Sequence, residues 1–106
     1  MHPYESFRRE CLERVQNQSN DEELKKTSSD FLKRSCDFLY SYNFSWLGRP
    51  IIQYPQDMVA VQEIIYTTKP DLIIETGIAH GGSLIYSASL LCMLDLMNGL
   101  NPMESK

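Results

Sequence analysis

The sequence predicts an α/β fold: a helical preface over residues 1–41, then over residues 42–106 the strand, glycine loop and helix that open a doubly wound parallel sheet. Three observations predict it. Residues 71–76 are a short apolar run with a polar residue at each end, the pattern of a central parallel strand covered on both faces. The run leads directly into the turn Gly77-Ile78-Ala79-His80-Gly81-Gly82. Ser83 then starts an apolar helix through Leu84, Ser87, Leu91 and Leu94 toward Met97, with Gly99 and Asn101-Pro102 as its stop.

The preface comes first. Residues 4–17 are charged and helix-compatible, and Phe7, Cys11, Leu12 and Val15 share one narrow face. After a polar break, Asn20 or Asp21 caps a second helix whose first turn carries acids, favourable at the positive end of the helix dipole. Its apolar residues Leu24, Phe31, Cys36 and Leu39 run on to Tyr40, while Thr27-Ser28-Ser29 weakens or kinks it.

The composition changes at residues 42–50, an aromatic stretch closed by Gly48 and Pro50 and therefore expected as a loop. Trp46, with Tyr42 and Phe44, either stacks on a sugar or aromatic substrate or packs in the core, and core packing is the expectation. Residues 51–54 make a short extended piece. Pro55 opens a helix with Met58, Val61, Ile64 and Ile65 on its apolar face. It ends near Thr68, because Lys69 precedes Pro70 and is biased out of the helical region. Asp57 in the first turn is explained by the dipole, although with Gln53 and Tyr54 it is also placed to line a substrate site.

Composition excludes several function classes. With 42 % apolar and 23 % charged residues over 106 positions, the chain falls in the range of one globular domain or part of one. A net charge of -4, with every basic cluster interleaved with acids, leaves no electrostatic footprint for nucleic acid. Cys11, Cys36 and Cys92 are far apart, odd in number and without a CxxC pair, which disfavours both a disulfide framework and a zinc site and fits a reducing cytoplasm. Cys92 and Met93 lie on a helix expected to be buried, where a lone cysteine is core. The N-terminus lacks the apolar stretch of a signal peptide. The run 84–100 is interrupted by Ser87, Ser89, Asp95 and Asn98, so it reads as a buried helix and not as a transmembrane span.

A strand that feeds a glycine turn and a helix places backbone N–H groups and the helix's positive end at the carboxyl edge of a sheet, where a nucleotide-like ligand lies. Gly77 lets the chain turn sharply, Gly81 and Gly82 let it pass close to a ligand, and Ser83 caps the helix. Glu75 is an acceptor at the strand end. The spacing Gly77-x-x-x-Gly81-Gly82 is neither GxGxxG nor Walker A, which disfavours NAD and nucleoside triphosphates. A glycine turn that binds nothing is the alternative reading of the spacing by itself. His80 is the one candidate base in the turn; its other reading is a residue that shapes the pocket. Arg49 is placed to pair with a carboxylate, of a ligand or of the protein.

Residues 46–57 (WLGRPIIQYPQD) and 70–84 (PDLIIETGIAHGGSL) closely resemble the cephalosporin hydroxylase family, which includes rhamnosyl O-methyltransferases. The resemblance spans about residues 42–91. It implies a Rossmann-like fold and an S-adenosylmethionine-dependent O-methyltransferase acting on a hydroxyl of a sugar, glycolipid or secondary metabolite, with a place in lipid biosynthesis among the expectations. By the same resemblance Glu75, Thr76, Gly77, His80, Gly81, Gly82 and Ser83 match the cofactor loop. A divalent metal, Mg, is implied too, held by later acids that are not among these residues, so no metal ligand is expected here. The ribose-binding acid of the second strand is likewise not among them. The expectation is therefore the N-terminal portion of the fold, truncated, with a small-molecule or glycolipid substrate. The alternative is an inactive remnant or an interaction module whose open sheet edge seeks a partner chain, including a second copy in a homo-oligomer.

Overall fold

A computed structural model describes residues 3–100. The chain divides into two compact units, one ending at Phe38 and the other beginning at Leu39.

The first unit is a helical hairpin of α1 (Pro3–Ser19) and α2 (Glu22–Asp37). The polar break between them closes as the sequence predicts: the Asp21 side chain accepts from the Leu24 N–H at 2.9 Å, capping α2. α2 is continuous through Thr27-Ser28-Ser29, where Ser28 returns its hydroxyl to the Lys25 carbonyl at 3.0 Å. One expectation is corrected: the helix ends at Asp37 and not at Tyr40, because Leu39 turns into the left-handed region at φ 54° and leads into a single 3₁₀ turn, Tyr40–Tyr42. The apolar face of α1 exists but stays exposed, with Phe7, Leu12 and Val15 in solvent.

In the second unit the 3₁₀ turn is followed by a hairpin where the sequence predicts a loop. β1 (Phe44–Trp46) and β2 (Arg49–Ile51) pair antiparallel, with Trp46 opposite Arg49 and Phe44 opposite Ile51. Leu47 and Gly48 both take positive φ, 49° and 83°, the sense that matches the twist of a two-residue hairpin. α3 (Pro55–Thr68) follows with Pro55 at its start, and Lys69 leaves the right-handed helical region at φ 46°, as the residue before a proline should. The hairpin and α3 both pack on the last helix, α4 (Gly82–Leu100).

The core of this unit is small. Ile51, Ile65 and Tyr86 are its buried apolar residues. Trp46 meets Tyr86 edge-on at 4.8 Å between ring centroids and donates its indole N–H to Ser89 Oγ at 3.0 Å. Tyr86 in turn donates its hydroxyl to the Met58 carbonyl on α3. One indole and one phenol thus tie hairpin, α4 and α3 together, which supports the core reading of Trp46.

Four further expectations are corrected. Residues 71–76 have no regular secondary structure and belong to no strand: the only sheet among the described residues is the two-stranded β1-β2 pair. A parallel strand exists only through hydrogen bonds to a neighbouring strand, and no described strand pairs with this segment. The helix expected to be buried is buried only in its first turns, at Gly82, Tyr86 and Ser87, while Met93 and Cys92 are exposed. Gly99 does not stop α4, which continues to Leu100. Asn101-Pro102 lies outside the described residues. Finally, Ser83 is not the helix cap. The Gly81 carbonyl accepts the Ile85 N–H at 3.0 Å, so Gly81 occupies that position and Ser83 sits in the first turn.

Candidate functional site

The turn between residues 71–76 and α4 is built by glycine for two distinct reasons. Gly77 and Gly81 have φ of 88° and 85°, where a side chain is strained. Gly82 has an ordinary φ, yet a Cβ there would fall 2.1 Å from the Pro50 carbonyl oxygen and 2.8 Å from the Ile51 Cβ. It is glycine because β2 passes directly against it. The turn closes with a hydrogen bond from the Gly81 N–H to the Ile78 carbonyl at 2.6 Å.

Glu75 enters this turn and is fastened to α4. Its Oε1 accepts from Ser83 Oγ at 3.1 Å and from Ser87 Oγ at 3.0 Å, two hydroxyls one helical turn apart. Its other oxygen, Oε2, has no hydrogen-bond or ion-pair partner among the described residues. Arg49 approaches from the hairpin. A Cβ on Gly81 would lie 3.6 Å from its Nη1 and 3.7 Å from its Cδ. Among the described residues Arg49 pairs with no carboxylate.

Of the residues predicted for the cofactor loop, the structure brings together Glu75, Gly81, Gly82 and Ser83. Gly81 and Gly82 are buried; Thr76, Gly77 and His80 are exposed. His80 makes no hydrogen bond to a described residue. Asp57 stands exposed in the first turn of α3, as the dipole reading expects. Ser87 was not singled out as a site residue. Its signal was present nonetheless, since Ser83 and Ser87 are spaced four apart on a mostly apolar helix.

No cluster of three or more His, Cys, Asp or Glu capable of holding a metal ion occurs among the described residues. A cavity of about 200 Å³ lies elsewhere, between Lys69, Pro70 and Asp71 and the far end of α4 at Leu94, Asp95 and Asn98. None of its lining residues belongs to the glycine turn.

An acid fastened beside a glycine turn that opens a mostly apolar helix defines the class: a loop-and-helix module. Comparison supplies the family. Residues 38–103 match the family described as rhamnosyl O-methyltransferase/CmcI, and the chain belongs to this methyltransferase family. The matched region takes in the hairpin, α3, residues 71–76, the turn and α4. No curated protein and no solved structure matches the chain. Among the described residues no helix is long and apolar enough to cross a membrane.

Proposed function

We propose that residues 42–106, with residues 1–41 as a helical preface, form the cofactor-binding front of a Rossmann-like, S-adenosylmethionine-dependent O-methyltransferase. Its acceptor is a hydroxyl of a small molecule, in the range of sugars, glycolipids and secondary metabolites, and its setting is the cytoplasm. The observation behind this reading is Glu75, held at the turn with one oxygen engaged and the other open, in a chain of a methyltransferase family. The turn fits such a cofactor. It has an uncompensated carboxylate oxygen for a cationic group, exposed backbone at Gly77, and an unpaired Arg49 beside Gly81 for an anionic one.

When bound, S-adenosylmethionine supplies an electrophilic methyl group. The residues of the chain bind and orient it: Glu75 through a charge-assisted hydrogen bond, and Gly77, whose backbone is exposed, by admitting the ligand close to the chain. His80, exposed in the turn, is the candidate to take the proton from the acceptor hydroxyl. The divalent metal of the family reading would need ligands beyond the described residues.

The test is transfer of a labelled methyl group from S-adenosylmethionine to a panel of sugar and phenolic hydroxyl acceptors by the native full-length product. Label in a methyl ether, lost in the Glu75→Gln variant, is the expected result. Absence of transfer together with absence of binding would remove the reading.

One observation favours a second reading, a partner-dependent module. Leu72 and Ile74 are 72 % and 80 % exposed on a segment with a strand-like apolar pattern and no strand paired to it, and an unpaired strand of this kind associates. In that case the chain sediments as an oligomer, and replacing both residues by Lys returns it to monomer.

A further inference from the structure

Serines inside helices usually turn their hydroxyl back to a carbonyl of the preceding turn. Ser28 and Ser89 do so, to Lys25 and Tyr86. Ser87 does not: it is 8 % exposed, lies mid-helix among apolar neighbours, and spends its donor on the Glu75 side chain, twelve residues away in sequence. Ser83 donates to the same atom.

Two donors on one carboxylate oxygen have a specific consequence. A carboxylate held by Ser83 alone can swivel, exchanging its oxygens between the serine and solvent, because Ser83 is only partly buried. A second donor from the buried Ser87 removes that freedom, and water cannot easily replace it. Oε1 is then the structural oxygen and Oε2 the available one.

Resting on the reading that this turn holds S-adenosylmethionine, we propose that Ser87 is a positioning residue: it locks Glu75 with Oε1 engaged so that Oε2 accepts from the ammonium of the ligand's amino-acid end. Ser87 touches no ligand itself. Its effect is confined to the group that Glu75 receives, and that makes it separable from a general role in folding.

Calorimetric titration of the full chain with S-adenosylmethionine and with 5′-methylthioadenosine, which lacks the amino-acid end, tests this. Ser87→Ala should weaken S-adenosylmethionine about tenfold, because Glu75 is no longer held for the ammonium, and leave methylthioadenosine unchanged. Ser87→Thr, which restores the hydroxyl, should recover most of that loss. Glu75→Gln, which replaces one carboxylate oxygen by a donor, should show the same selective loss. Equal weakening of both ligands in Ser87→Ala, or unchanged binding of S-adenosylmethionine, overturns the positioning role. Wild-type chain that binds neither ligand overturns the reading of the turn itself, a different result, and the proposal with it.

Discussion

Gly81 and Gly82 are adjacent, and substitution separates their roles. At Gly82 the obstacle is backbone: the Pro50 carbonyl stands where a Cβ would go, and neither β2 nor α4 can yield without opening the core between them. Gly82→Ala should therefore destabilise the unit by about 3 kcal/mol, read from a shift in its denaturant midpoint. At Gly81 the neighbour is the flexible Arg49 side chain at ordinary contact distance, so the cost of Ala is the left-handed backbone, about 1 kcal/mol. A larger effect at Gly81 than at Gly82 would contradict this assignment. The sequence marks both positions as glycine but does not distinguish them, because the distinction depends on a strand thirty residues upstream.

At the scale of elements, α1, α2, α3 and α4 were legible, because cap, proline and apolar spacing are local signals. Asp21 and Pro55 did what their positions predict. The hairpin was not legible: its strands are three residues long, and its turn puts Leu47 where Asn or Gly is usual. Residues 71–76 illustrate the opposite case. Their apolar pattern is that of a central strand, but pattern predicts only a burial preference, and pairing needs a neighbour that no described segment provides. Their amides should thus exchange hydrogen rapidly in the isolated chain, while those of α4 near Tyr86 are protected. Protection across residues 72–75 would mean that a partner strand has formed. The Glu75–Ser83–Ser87 cluster was half legible. The acid and the first serine lie in the motif, and the second emerges only when the turn lays Glu75 against α4.

For the compact unit as a whole, the link between α3, α4 and the hairpin runs through one ionisable group. Burial pushes the Tyr86 phenol above its ordinary value near 10, opposed in part by a hydrogen bond from the Gln62 backbone. The raised value means that the folded state favours the neutral phenol. Its contribution is fully present below the unfolded value and is lost as pH rises through the folded one. Thermal stability should consequently fall as pH climbs beyond 10, and Tyr86→Phe should flatten that part of the profile. An unchanged slope in the variant would assign the alkaline loss to other groups.

The central claim is that the turn opening α4 is the cofactor site of a methyltransferase-family chain. Its most direct test is to follow backbone amide shifts of isotopically labelled chain during titration with S-adenosylmethionine. Saturable shifts confined to residues 75–83 and to Arg49, with none on addition of NAD, are the predicted result. Shifts centred instead on the cavity at Lys69 and Asp95, or an equal response to NAD, would contradict it.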